Sequence, residues 1–322
     1  MASVTAVPAF VRPLAPLLAR CERRLREAVD GGPPEVAMPA AETLAAGGKR
    51  LRPLLVFCAA PRDGLERDAL VSAAAAVELV HMATLVHDDL IDGATLRRGQ
   101  PTVARAAGPE AAVRVGDFLF ACAFAELTRT GSAPAVRALA EAALDLSRGE
   151  MDQQRAAFDL ELTESAYLVR CRRKTAALFA AACRLGALLG GAREEAQERV
   201  ARFGERVGVA FQIFDDILDL AGAPSETGKR RGTDLREGTM TLPVILALRR
   251  EPELAHLVAQ AGNGGGVEAL CDRLAVHAGL AEARERALGF VAAARAELDG
   301  TLDGADGTAL LELAEGVVDR YS

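Results

Sequence analysis

Six aspartates carry the clearest chemical signal in this 322-residue chain. They form two copies of one pattern, Asp-Asp-x-x-Asp: Asp88, Asp89 and Asp92, then Asp215, Asp216 and Asp219. On a helix, residues four apart share a face, so Asp88 points with Asp92 and Asp215 with Asp219. Like charges stacked in that way repel unless something neutralises them. Clustered carboxylates are hard oxygen ligands, and Mg²⁺ takes one or two of them together with waters and a phosphate oxygen. One copy alone reads equally well as a solvated acidic helix end. Two copies, each closing a long apolar segment, point to metal-assisted binding of a multiply charged phosphate.

Basic residues stand where such a phosphate needs them. Arg97 and Arg98 follow the first motif after a short turn containing Gly93, and guanidinium groups hold phosphate oxygens bidentately. GGKRLRP (47–53) offers Lys49 and Arg52, with glycines that let backbone approach an anion. Lys174, beside Thr175, and Lys229 add two further basic points. Each alone is an ordinary surface charge. Together with the acidic motifs they suggest two separate phosphate sites. His81 lies seven residues, about two turns, before Asp88 on the same face.

The elements that must position these residues read as helices. Apolar residues recur at three- and four-residue spacing almost throughout, and breaks fall at Gly and Pro, as in GGPPE (31–35) and GNGGG (262–266). Roughly ten or more helices result, with no strand-rich block and no repeat. The fold class is therefore all-α: one domain over residues 1–322, a single large helical bundle around a central cavity. Two helices, from about Arg67 to Asp92 and from about Glu194 to Leu220, are apolar around much of their circumference, and so are central.

Composition narrows the function classes. Half the residues are hydrophobic, only 4% are aromatic and there is no Trp, which favours helix. A net charge of −7 without a basic tract argues against nucleic acid as a partner. Six cysteines without a C-x-x-C pair read as reduced core thiols of a cytoplasmic protein. No signal peptide is visible and no apolar run reaches spanning length; the best candidate, 176–192, is interrupted by Arg184.

The ordered set GGKRLRP, ELVHMATLVHDDLID, LRRGQPT, VGDFLF, RKTAALF, GVAFQIFDDILD and GTDLREGTMTLP resembles the trans-isoprenyl diphosphate (polyprenyl) synthases over most of the chain. The resemblance implies an all-α isoprenoid synthase-like fold, a homodimer and three Mg²⁺ ions. It implies that Asp88, Asp92 and Asp215 ligate Mg²⁺ on the allylic diphosphate, with Asp89, Asp216 and Asp219 supporting. Arg97, Lys174 and Lys229 would hold that diphosphate. Lys49, Arg52, His81 and Arg98 would hold isopentenyl diphosphate, and Thr175 and Gln212 would lie near the reacting carbons. One departure stands out: Thr239 occupies a position where the family often has lysine.

The implied reaction is ionisation, condensation and elimination, with no side-chain nucleophile. Closure of the 222–241 loop, with Lys229, Asp234 and Arg236, would exclude water. In the family, aromatics at the positions of Ala83 or Thr84 stop chain growth early. Both are small here, and no aromatic occurs between 67 and 92. That favours a medium or long product of the kind used for quinone side chains, unless Phe118, Phe120 or Phe124 closes the shaft from a neighbouring helix. The alternatives are a geranylgeranyl diphosphate synthase, a class I terpene cyclase, and a partner-dependent subunit of a heteromeric synthase.

Overall fold

The computed structural model describes residues 9–222, 231–262, 264–299 and 305–319. Helix dominates, as the periodicity requires. In chain order come α1 (Ala15–Asp30), α2 (Pro34–Ala45), α3 (Leu51–Ala59), α4 (Asp68–Ile91), α5 (Val103–Ala107) and α6 (Pro109–Thr128). They are followed by α7 (Ala133–Arg155), α8 (Glu164–Cys171), α9 (Ala177–Gly190) and α10 (Glu194–Ala221). The chain ends with α11 (Thr233–Glu237), α12 (Leu242–Arg250), α13 (Ala255–Gly262), α14 (Val267–Ala275), α15 (Ala278–Leu298) and α16 (Ala305–Asp319). Strands β1 (Leu96–Arg97) and β2 (Gln100–Pro101) form a two-residue hairpin, which helical periodicity alone does not foresee.

The chain packs into two compact units. The first comprises Met1–Glu141, Leu178–Gly204 and Leu298–Leu313; the second comprises Ala142–Ala177, Glu205–Glu297 and Ala314–Ser322. In the first, α4 is the axis. Its run Ala73–Ala76 is fully buried, and small side chains let α6, α3 and α1 approach closely. Among the described residues, α4 is the one helix long and apolar enough to cross a membrane, contrary to the sequence expectation. Most of that stretch is buried inside the protein, which is how a core helix meets the same criterion. All six cysteines are free, and five are buried.

The end of α4 is fixed by backbone chemistry. Gly93 adopts a left-handed φ of 64°, its N–H donates to the Leu90 carbonyl, and the Ala94 N–H donates to the Asp89 carbonyl at 2.9 Å. This is a Schellman stop. It places Asp88, Asp89 and Asp92 on the last helical turn, where the carbonyl dipoles already make the potential negative. The hairpin then turns at Arg98 and Gly99, both at positive φ (52° and 78°), as a tight two-residue loop demands. Thr102 pins the hairpin back: its Oγ1 donates to the Ala94 carbonyl at 2.7 Å and accepts from the Arg105 N–H.

In the second unit, α8 continues through one π turn, Arg172–Ala176, which carries Lys174 and Thr175. Such turns hold one extra residue and recur at functional sites. Gly149 of α7 lies against it. A Cβ there would sit 2.4 Å from the Lys174 backbone nitrogen, so only glycine permits this approach.

Candidate active site

The first unit brings most of the predicted cationic residues together. A cleft of about 480 Å³ is lined by His81 and Asp89 of α4, by Arg97 and Arg98 of the hairpin, and by Gly47 and Arg50. Gly48 lies so near the hairpin that an added Cβ would stand 3.1 Å from a guanidinium nitrogen of Arg98. Lys49 is exposed beside it. The Arg52 guanidinium stacks over the Phe179 ring at 5.0 Å, and its buried Nε has no hydrogen-bond partner.

The electrostatics of this cluster call for an anion. Burial pushes Arg52 down to about 10, with Glu78 opposing. Burial also lowers Arg98, with Arg97 and Arg50 adding to the fall against Glu78. His81 is held well below the ordinary histidine value, first by burial and then by Arg52, Arg98, Arg97 and Arg50. Its ring is therefore neutral in the ligand-free protein. Packed cations that depress one another are stabilised by a multivalent anion, and Arg52 Nε is an unused donor for one.

Not every aspartate of the first motif faces outward. Asp88 is half-buried and Asp92 exposed, while Asp89 is buried. Asp89 accepts from Arg97 Nε at 2.8 Å and pairs with its Nη2 at 2.7 Å. Burial alone would lower the Arg97 pKa, but Asp89, with Asp88 and Asp92 behind it, carries it up.

The second motif divides its labour in a similar way. Asp215 is exposed and Asp216 is buried. Asp216 Oδ2 accepts from the Tyr167 hydroxyl at 2.6 Å, and its Oδ1 accepts from Gln212 Nε2 at 2.8 Å. Gln212 Oε1 in turn accepts from Thr175 Oγ1 at 2.6 Å. Burial pushes the Asp216 carboxyl up to about 7, against the pull of these hydrogen bonds and of Arg170. Asp219 caps α11, accepting the backbone N–H groups of Thr233 and Asp234 at 3.1 and 3.2 Å. Lys174 pairs with Glu150 at 2.5 Å.

Lys229 lies outside the described residues, as does the rest of 223–230 within the 222–241 segment. The described remainder of that segment is not a loop throughout: Thr233–Glu237 is helical, and Arg236 is engaged by the Arg231 carbonyl and Glu268. Thr239 donates its N–H to the Asp234 carbonyl. Of the chain-length candidates, Ala83 is fully buried and Thr84 half-buried, its hydroxyl turned back to the His81 carbonyl at 2.8 Å. Phe118 packs on Gly32, and the Phe120 ring lies 6.0 Å from that of His87.

Sequence reasoning passes over several participants. Arg50 pairs with Glu22 and with buried Glu78, so within GGKRLRP it ties α1 to α4. Tyr167, Arg170 and Glu150 escape it too. Tyr167 is one of only two tyrosines, and a buried phenol must find a partner. That is the signal by which it could have been found.

Each acidic motif, taken by itself, offers a divalent cation only a few carboxylates. Among the described residues, no group of three or more His, Cys, Asp or Glu side chains is already gathered to hold a metal. Asp89, Asp216 and Asp219 bond to protein groups, while in the first unit Asp88 is half-buried and Asp92 exposed, and in the second Asp215 is exposed. Few carboxylates and many remaining positions suit Mg²⁺ that is completed by water and phosphate oxygens.

Residues 33–269 match the family model described as polyprenyl synthetase. The chain belongs to this family. The polyprenyl synthetase is 42% identical over 242 residues to heptaprenyl diphosphate synthase component 2 of Geobacillus stearothermophilus, covering 75% of this chain and 76% of that one. It is 38% identical to the nonaprenyl diphosphate synthase of Mycobacterium tuberculosis, over 86% and 84% of the two chains. A crystal structure of a polyprenyl synthase from Caulobacter crescentus, complexed with calcium and isoprenyl diphosphate, superposes with a TM-score of 0.90 at 37% identity, covering 97% of each chain. The protein is thus an enzyme, a trans-prenyltransferase with an all-α fold.

Proposed function

We propose that this synthetase condenses isopentenyl diphosphate with an allylic diphosphate, farnesyl or geranylgeranyl, to give an all-trans polyprenyl diphosphate of medium or long chain for quinone side chains. The observation that carries this reading is the cluster around His81. There Arg52 and Arg98 are both lowered by burial, and a buried guanidinium nitrogen waits for an acceptor. Such a cluster suits a diphosphate.

In this reading Lys49, Arg52, His81 and Arg98 hold isopentenyl diphosphate. Arg97, Lys174 and Lys229 hold the allylic diphosphate, Lys174 exchanging Glu150 for it. Asp88, Asp92 and Asp215 ligate Mg²⁺, three ions in all, with Asp89, Asp216 and Asp219 in supporting or water-mediated roles. Mg²⁺, when bound, neutralises charge on the departing diphosphate. The C–O bond breaks to an allylic cation, the isopentenyl double bond attacks it, and a proton leaves to the released diphosphate. Thr175 turns its hydrogen toward Gln212, so its lone pairs face away from that bond and are available to a developing cation. Ala83 and Thr84 leave room for a growing chain. We take the two units to act as one domain, 1–322, in a cytoplasmic homodimer.

A second reading is favoured by one observation. The relative from Geobacillus stearothermophilus is named as component 2, so a partner subunit is an alternative to self-association. The test is a product assay with Mg²⁺, labelled isopentenyl diphosphate and each allylic primer, with dephosphorylated products sized. A ladder ending at a long polyprenol supports the proposal. A stop at geranylgeranyl keeps the chemistry and discards the long product. No condensation by the protein alone sinks the self-sufficient enzyme and directs the search to a partner.

A further inference from the structure

A continuous side-chain relay runs through the second unit and ends at the π turn. Tyr167 of α8 is fully buried, and its hydroxyl donates to Asp216 Oδ2 at 2.6 Å. The other oxygen of Asp216 accepts from Gln212 Nε2 at 2.8 Å, and Gln212 Oε1 accepts from Thr175 Oγ1 at 2.6 Å. Both faces of the Gln212 amide are thereby assigned. The amide nitrogen faces Asp216 and the amide oxygen faces Thr175, whose hydroxyl supplies the hydrogen.

Arg170 backs the relay. Its guanidinium lies 5.3 Å from the Tyr167 ring centroid and donates to the Met240 carbonyl at 2.6 Å. Packing does not require any of this. Phenylalanine would fill the volume of Tyr167 without burying a hydroxyl, but it would leave Asp216 Oδ2 without that donor. What the polar chain adds is direction. With Gln212 fixed, the Thr175 hydrogen is turned inward and its lone pairs outward. A hydroxyl without that acceptor rotates and presents its hydrogen instead, the wrong dipole for a cation.

We propose that Tyr167 is a positioning residue for the condensation: through Asp216 and Gln212 it sets the orientation of the Thr175 hydroxyl and of the π turn that also carries Lys174. The inference rests on the prenyl-transfer reading above. The partner at the far end is a carbocationic centre, which needs an oriented lone pair and no proton donor.

The experiment compares wild type, Tyr167→Phe, Thr175→Val and the double variant in steady-state condensation with Mg²⁺, isopentenyl diphosphate and the best allylic primer. Losing a hydrogen bond to a charged group predicts a fall in kcat of roughly tenfold or more for Tyr167→Phe, with KM for isopentenyl diphosphate within about twofold. Thr175→Val on the Tyr167→Phe background should add little, since the two changes cut one chain. A kcat for Tyr167→Phe within about twofold of wild type, or losses that multiply in the double variant, overturns the proposal. Folding is checked by circular dichroism. If Tyr167→Phe does not fold, Gln212→Met, which keeps the shape and removes the amide, must reproduce the fall in kcat, and an unchanged kcat there overturns it equally. A wild-type protein that forms no prenyl product, either alone or with a partner subunit, removes the functional reading itself, and the relay's role with it.

Discussion

Asp89 holds Arg97 through both carboxylate oxygens, Nε at 2.8 Å and Nη2 at 2.7 Å, across a helix end and one strand of a hairpin. The second aspartate of the first motif is therefore an anchor for a cation. Asp89→Ala should cost on the order of 2–3 kcal/mol in urea unfolding, less than a fully buried pair because Arg97 is 25% exposed. Asp88→Ala should cost less in unfolding than Asp89→Ala while turnover falls by orders of magnitude. Equal stability losses in the two variants would contradict this division.

Asp216 gives a pH signature in metal-free buffer. Its carboxyl is raised from 3.8 to about 7 by burial, so the folded state binds the proton more tightly than the unfolded chain. This contribution to stability is complete below 3.8 and is lost as pH rises through 7. Asp216→Asn should gain in melting temperature relative to wild type as pH rises across that window, and no further above it. A pH-independent difference would refute the shift.

His81 works in the opposite direction. Its folded value lies well below 6.5, so the unfolded chain takes up the proton first. Wild-type stability should fall as pH drops below 6.5, with a slope of up to about 1.4 kcal/mol per pH unit, and His81→Gln should lack that component. Added pyrophosphate should flatten the dependence, because an anion among Arg52, Arg97 and Arg98 favours the imidazolium. Urea unfolding at several pH values, with and without pyrophosphate, checks both.

Gly149→Ala should destabilise by about 3 kcal/mol and depress activity, since both nearby groups are backbone and cannot swing aside. Gly289→Ala in α15 is the control. Nothing lies within 4 Å of the new methyl, so a gain of about 0.5–1 kcal/mol is expected from helix propensity.

Thr84→Phe should shorten the prenyl products relative to wild type while condensation persists. Chromatography of the dephosphorylated products decides it. An unchanged ladder would remove Thr84 from the path of the growing chain.

The helices, the stop at Gly93 and both acidic motifs are legible as local pattern, because a period of 3.6 and a left-handed glycine are properties of short windows. Which aspartate turns inward is not. Asp88 and Asp89 are the same letter, and only the arrival of Arg97 from the hairpin distinguishes them. Arg50 and Arg52 stand two apart in one basic string. One is neutralised by Glu22 and Glu78, while the other stacks on Phe179, a contact set by residues far along the chain. The π turn reads as ordinary helix, since an extra residue leaves no mark in composition. The hairpin is hidden because its turn depends on Arg98 accepting a positive φ.

Arg50 itself sits at φ 49°, a left-handed conformation that costs a non-glycine residue about 1–2 kcal/mol. Glycine would relieve that cost but leave Glu78 buried without its cation, a penalty of about 3–5 kcal/mol. The position is therefore a one-way ratchet for sequence drift. Backbone and side chain make opposite demands there, the side chain's being the larger by about two- to threefold, and lysine, which lacks the fork that reaches both Glu22 and Glu78, does not satisfy it either.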